Sequence, residues 1–239
     1  TWKGTTGATD NEYGKVNIVE EFAPGKTITV RPGETLVVDF GQNTSAVPSF
    51  EFKAKEGTVL TCLPAELLND GNGAKNRGMD GPEGSGHRLN LRIPETGMLL
   101  HYTFAADKDF VSFMPRSTFY GYRYVSVTAT DEVVIRSIKS VPVSSITETL
   151  ETGTIETGSA DINKLISNTL WGQRSNYLSV PTDCPQRDER LGWTGDAQVF
   201  CRTGAINFDV EKFFHKWLGD VALEQEKDGG VRGIVPNCL

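Results

Sequence analysis

The stretch Val180-Pro181-Thr182-Asp183-Cys184-Pro185-Gln186-Arg187-Asp188-Glu189-Arg190-Leu191-Gly192-Trp193-Thr194-Gly195-Asp196-Ala197-Gln198 gathers the residue types that do acid–base chemistry. Four carboxylates, Asp183, Asp188, Glu189 and Asp196, fall within 14 positions, where a chain with 31 Asp and Glu in 239 residues places about two by chance. Arg187 and Arg190 are fixed cations beside them. Trp193 offers a flat apolar surface with one donor, a shape that stacks on a sugar ring. Pro181 and Pro185 restrict the residues before them to extended backbone. Cleaving a glycosidic bond needs such a set: one carboxylic acid protonates the leaving oxygen, and a second carboxylate serves the other face of the ring. Crowded carboxylates raise one another's pKa, and an adjacent tryptophan that excludes water does the same, which keeps an acid protonated near neutral pH. Further carboxylates accept hydrogen bonds from hydroxyls and offset positive charge developing on the sugar. The same residues also read as structure. Arg187-Asp188-Glu189-Arg190 could be a solvated salt-bridge cluster, Asp183 a turn cap and Trp193 a core residue. Composition alone favours that second reading, because charge runs are commonly surface features.

Two kinds of element must position this segment. From about residue 14 to 150 the chain reads as strands. Thr27–Val30 precedes a Pro32-Gly33 turn, and Thr35–Phe40 follows it. Ser49–Lys55 alternates apolar and polar residues, which puts Phe50, Phe52 and Ala54 on one buried face. Thr58–Leu63, Met98–Phe104, Asp109–Met114, the aromatic run Thr118–Val127 and Asp131–Val143 complete the set. Short strands with frequent turn signals predict an antiparallel sandwich. A polar insertion between Leu67 and Arg92 with six glycines reads as a solvated loop between strands, a length that is otherwise functional.

The grammar changes near Glu151. After a polar connector, Ser159 is placed to cap a helix with Ile162, Leu165, Ile166 and Leu170 on one face, and Asp161 suits its positive end. Ala197–Thr203 continues as a second helix. Asp209 is expected to cap a third, with Val210, Phe213, Phe214, Trp217, Leu218 and Val221 as its stripe and Gly229-Gly230 as its end. The second half is therefore expected to be all-helical. Three one-striped helices call for further helices to pack against.

Composition excludes several classes. Lys and Arg number 24 against 31 Asp and Glu, a net charge of −7, which speaks against a nucleic-acid partner. No apolar run reaches the roughly 18 residues of a membrane helix. The cysteines, Cys62, Cys184, Cys201 and Cys238, form no CxxC, and His87, His101 and His215 form no ligand-spaced set, so neither a metal nor a cofactor is expected. Without a partner base nearby in sequence, Cys184 reads as a small buried hydrophobe. His101 and Tyr102 read as strand packing. There is no phosphate loop. The chain opens on Thr1 without a signal segment and stops after Leu239 without a polar tail. It is read as an internal piece of a longer protein, and targeting does not distinguish cytoplasm from periplasm. Alone, it is expected to expose the stripes of its helices.

The unbroken run from Asp183 to Asp196 resembles the signature of bacterial α-L-rhamnosidases, glycoside hydrolase family 78. Asp39-Phe40-Gly41-Gln42-Asn43 and Phe113-Met114-Pro115-Arg116-Ser117-Thr118-Phe119-Tyr120-Gly121-Tyr122-Arg123-Tyr124 resemble the β-sandwich that precedes that family's catalytic barrel, and Ser175-Asn176-Tyr177 with Pro181-Thr182 resembles the opening of the barrel. The resemblance implies residues 1–13 as the tail of a preceding domain or a linker, 14–150 as the β-sandwich, and 151–239 as the first helices of an (α/α)6 barrel. It implies inverting hydrolysis of terminal α-L-rhamnose from glycosides or polysaccharides. Glu189 matches the general acid, with Asp188 as the alternative. Asp183, Arg187, Trp193 and Asp196 match the sugar subsite. No residue here matches the general base, so the 239 residues alone are expected to be inactive. Two other readings stand beside this one: a carbohydrate-binding β-sandwich module without catalysis, and a different glycosidase or lyase on the same barrel.

Overall fold

The computed structural model describes residues 20–23, 25–69, 82, 84–87, 98–107 and 109–238. The expected tail 1–13, the start of the expected sandwich and most of the 67–92 insertion lie outside the described residues. The chain divides into two compact units, Thr1–Val141 and Pro142–Leu239. The division falls before residue 150 because the connecting residues pack with the helical part of the chain. Ile146 is buried with Tyr177, Phe208 and Phe213, and Ser145 N donates to Tyr177 O.

The first unit is the antiparallel β-sandwich half of the expected fold. Its strands are β1 (Ile28–Val30), β2 (Leu36–Ala54), β3 (Val59–Ala65), β4 (Leu100–Thr103), β5 (Val111–Phe113), β6 (Tyr120–Ala129) and β7 (Val133–Pro142). They run in the order β1-β7-β2-β6-β3-β4, with β5 on β2. Phe50 and Phe52 are buried and Ala54 packs against the same core, as the alternation predicts. Two strands expected at 35–40 and 49–55 are one 19-residue strand. It survives its interruption because β2 shifts register between Asp39 and Thr44, a bulge that Gly41 makes possible at φ +77°. Pro48 falls between Ala46, the last residue paired with β6, and Phe50, the first paired with β5. An ion pair pins the bulge. Arg123 Nε and Nη2 each donate to Asp39 at 2.8 Å, and Asp39 Oδ1 also accepts from Gly41 N at 2.7 Å. The hydrogen bond to Asp39 raises the Arg123 pKa further. At the edge of the insertion, Leu68 bridges Gly86 and Asn69 N donates to Ser85 O.

The second unit holds α1 (Ala160–Asn176), β8 (Tyr177–Leu178), β9 (Val180–Pro181), α2 (Thr194–Asn207) and α3 (Glu211–Leu223). It is not wholly helical: β8 and β9 pair as a tight hairpin turned at Ser179, whose φ is +67°. Ser159 caps α1 as expected, its side chain accepting from Ile162 N. Helix α2 starts three residues before the expected Ala197, capped by Trp193 without a side-chain bond. Val210, not Asp209, is the N-cap of α3; Asp209 Oδ1 instead accepts from Glu211 N at 3.2 Å. The third helix ends at Leu223, short of Gly229-Gly230. Its last turn closes through Glu224 N to Asp220 O, and the glycines form a separate turn with Glu226. Ile162 and Leu165 of α1 and Leu218 of α3 are exposed, so part of those two stripes has no partner among the described residues.

Helices α1 and α2 are clamped by a polar bridge inside an aromatic core. Buried Gln173 donates from Nε2 to Gly204 O at 3.0 Å and accepts from Asn207 Nδ2 at 3.0 Å. Tyr177 stacks on Phe213 at 4.6 Å between ring centroids. Gly204 is required: a Cβ there would lie 2.5 Å from Tyr177 Oη and 3.1 Å from Gln173 Nε2.

Gly204→Ala is expected to destabilise the second unit by about 1–3 kcal/mol through overpacking, as measured by urea unfolding of the chain. Alkaline sensitivity is a second expected outcome. Burial pushes Cys62, Tyr122 and Tyr177 each up to about 12. The native state then keeps protons that the unfolded chain releases from the ordinary 9.0 of cysteine and 10.0 of tyrosine upward. Stability is full below pH 9 and falls as pH rises towards 12. A melting temperature flat across pH 9–12 would contradict this.

Candidate active site

The segment between β9 and α2 folds back on itself. Asp183 N donates to Leu191 O at 3.1 Å, and Leu191 N donates to Asp183 Oδ1 at 2.9 Å. The loop 183–191 is thereby closed by one residue's backbone and carboxylate. Thr182 ties its start to the end of α1, donating from N and Oγ1 to Asn176 O. Arg190 takes the left-handed conformation, φ +47°, to bring the chain round. For a residue with a side chain this costs about 1–2 kcal/mol, a strain of the kind that clusters at functional turns.

Closure packs the charged side chains together inside the loop. The Glu189 side chain is only 4% exposed and its Oε2 is ion-paired with Arg187 Nη2. The same Nη2 lies 3.7 Å from Asp183 Oδ2, and the Asp183 side chain is 9% exposed. The reading of Arg187–Arg190 as a solvated surface cluster therefore does not describe Glu189. Desolvation lowers the Arg187 pKa, but its contacts with Cys184 and the charge and hydrogen bond of Glu189 outweigh it and the net shift is upward. Ligand-type atoms of Asp183, Cys184 and Glu189 lie within 4.8 Å of one another, a spacing that could hold a metal ion. Arg187 already supplies positive charge there, and the Cys184 thiol holds its proton. Burial pushes Cys184 up to about 11.

Asp183 also borders a cavity. With Asp196 it lines a cavity of about 620 Å³ between α1 and α2, together with Gln173, Asn176, Tyr177 and Thr182. That volume is of the size that takes small molecules, roughly 300–1,000 Å³. Asp196 sits exposed in the first turn of α2, where the helix dipole favours an anion. Asp188 is half-buried. Trp193 is half-buried at the head of α2, with Nε1 buried and without a hydrogen-bond partner. Arg187, Asp188, Glu189 and Trp193 are not among the residues that line the cavity. The structure thus joins Asp183, Arg187 and Glu189 directly and sets Asp183 and Asp196 on one cavity, and Trp193 is not part of that cavity's lining.

Sequence reasoning missed two parts of this site. Gln173 is a polar position on a helix with no pattern to single it out, and Asn176 lies in the Ser175-Asn176-Tyr177 run that resembles the barrel's opening but carries no expected role. The segment Arg232–Val235 carried no motif, yet it runs along Gly192–Thr194, with Trp193 bridged to Ile234. The signal available was Gly192 itself, whose missing side chain admits the Val235 carbonyl.

Comparison with known proteins finds two family matches. Residues 28–144 match the bacterial alpha-L-rhamnosidase concanavalin-like domain, and residues 150–239 match the bacterial alpha-L-rhamnosidase 6 hairpin glycosidase domain. An alpha-L-rhamnosidase of Streptomyces avermitilis is 37% identical over 229 residues, covering 93% of this chain and 20% of its own. One from Formosa agariphila is 35% identical over 207 residues, covering 86% and 21%. The crystal structure of the Streptomyces avermitilis alpha-L-rhamnosidase complexed with L-rhamnose superposes with a TM-score of 0.68 at 32% identity, covering 91% of this chain and 21% of that one. The chain spans about one fifth of the length of these relatives.

Cysteine reactivity checks the closed loop. Cys184 is expected to resist iodoacetamide at pH 8 while exposed Cys238 reacts, because the thiol is buried and held protonated. Mass spectrometry of tryptic peptides after timed labelling reads the two sites apart. Equal labelling rates would mean that the loop is open.

Proposed function

The chain belongs to the bacterial α-L-rhamnosidase family, and from that premise we propose that its helical unit supplies the acid half of a site that removes terminal α-L-rhamnose from glycosides or polysaccharides. One observation carries the reading: Asp183 belongs both to the buried cluster with Arg187 and Glu189 and to the wall of the cavity. A sugar seated in that cavity meets a carboxylate that is rigidly tied to the proposed acid.

In this reading Glu189 is the general acid. Its carboxyl proton passes to the glycosidic oxygen as the bond from C1 to that oxygen breaks, and the aglycone leaves as an alcohol. Glu189 is preferred to Asp188 because it is the buried one. Asp183 and Asp196 accept hydrogen bonds from sugar hydroxyls and offset the charge that builds on the ring. Trp193, two residues before the cavity-lining Gly195 and itself outside the lining, is the apolar wall at the cavity's edge. Hydrolysis with inversion needs a second carboxylate on the opposite face, roughly 6.5–9.5 Å away, to take a proton from the attacking water. No residue of these 239 is assigned that role, so the chain by itself is not expected to turn over substrate.

In the complete gene product that carries these residues, Glu189→Gln is expected to lower kcat on alkyl α-L-rhamnosides by about 10²–10⁴-fold, the usual contribution of general acid catalysis. The loss should be smaller on a nitrophenyl rhamnoside, whose leaving group needs little protonation, and Asp188→Asn should stay near wild type. Steady-state kinetics on the two substrates checks this. Full turnover by Glu189→Gln on the alkyl substrate would reject the assignment.

A further inference from the structure

We propose that Trp217 is a positioning residue for the sugar-binding end of the site and acts through the segment Arg232–Val235. The proposal rests on the reading of Trp193 and Asp196 as sugar contacts. Trp217 lies on α3, buried against Ala197 of α2 and Val235. As a member of an apolar stripe it could be any large ring, but its indole N–H is used. Nε1 donates to Val235 O at 2.9 Å, in a place where both residues are buried. That same carbonyl abuts Gly192: a Cβ on residue 192 would collide with it and stand 3.3 Å from Trp217 Nε1. Only glycine lets the segment close on the loop.

Once seated, the segment fixes three consecutive residues. Val235 N donates to Gly192 O at 2.9 Å. Trp193 and Ile234 form a backbone bridge. Thr194 N donates to Gly233 O at 2.9 Å, and Thr194 Oγ1 donates to Arg232 O at 3.0 Å and Gly233 O at 3.2 Å. Residues 192–194 set the direction of the Trp193 ring and of the first turn of α2, which carries Asp196. Removing the indole donor leaves a buried carbonyl short of a partner. The segment then slips, and the two proposed sugar contacts move while Glu189, locked by Arg187 and the Asp183–Leu191 closure, stays in place.

The test compares wild type, Trp217→Phe and Thr194→Val in the complete protein. It measures L-rhamnose affinity by calorimetry, kcat and KM on a nitrophenyl rhamnoside, and the melting temperature. Trp217→Phe keeps a large ring and removes the donor. It is expected to raise the rhamnose Kd and the KM together by about tenfold, with kcat changed less than about threefold. Thr194→Val, which loses only the side-chain bonds to the segment, should move Kd and KM in the same direction by a smaller factor. A folded Trp217→Phe with wild-type Kd and KM overturns the proposal, and so does a kcat loss at unchanged rhamnose affinity. If Trp217→Phe does not fold, Thr194→Val decides, and unchanged Kd and KM in that variant overturn the proposal. Wild-type protein that neither binds rhamnose nor cleaves the rhamnoside removes the underlying reading of the site, an outcome distinct from a wild type that binds and a variant that matches it.

Discussion

Taking a carboxylate out of water costs several kcal/mol unless a partner replaces the lost solvation. Glu189 is out of water, and Arg187 is the partner that makes this tolerable. The second unit's loop is organised around that requirement. Arg187 must reach Glu189 and stay near Asp183 at once, which demands a loop closed tightly enough to bring residues 183, 187 and 189 together. The Asp183–Leu191 pair of hydrogen bonds closes it, and the left-handed turn at Arg190 absorbs the strain. Removing Arg187 would leave two carboxylates facing each other with little water to screen them.

The rest of the helical unit holds that loop by its two ends. At the start, Thr182 is bonded to the last turn of α1, and α1 is fixed to α2 through Gln173 and Gly204. At the far end, Gly192 and Thr194 are bonded to the segment before Pro236, and that segment is anchored on α3 through Trp217. Each of the three helices therefore contributes one anchor. The cavity lies between the first two, with Asp183 and Asp196 on its walls. Dispersed anchoring of this kind places charged side chains more accurately than a free loop could.

The legible and illegible parts of the molecule differ for physical reasons. The strands of the first unit were readable because Phe50, Phe52 and Ala54 obey a period of two, and the pattern depends only on which face is buried. The merger of two expected strands into β2 was not readable, because the Arg123 that pins the Gly41 bulge through Asp39 comes from 84 positions away and Pro48 falls where pairing passes from β6 to β5. In the helical unit, Ser159 was visible as a cap because capping is a contact within one turn. The start of α2 and the cap of α3 were missed because Trp193 and Val210 provide no side-chain cap bond. For the site, the acidic run was conspicuous, but its burial was not. Charge alone suggests a solvated face, and only the closure of the loop tells the two apart. Trp217 was visible as apolar and invisible as a donor, since periodicity reports a side chain's face and says nothing of its single N–H.

The central claim is that Asp183 connects a buried acid to a sugar-sized cavity. The most direct measurement is a crystal structure of the complete protein soaked with L-rhamnose. The sugar is expected in the cavity between α1 and α2, with Asp183 and Asp196 oxygens about 2.5–3.0 Å from its hydroxyls. A sugar bound elsewhere, with this cavity empty at saturating rhamnose, would contradict the account.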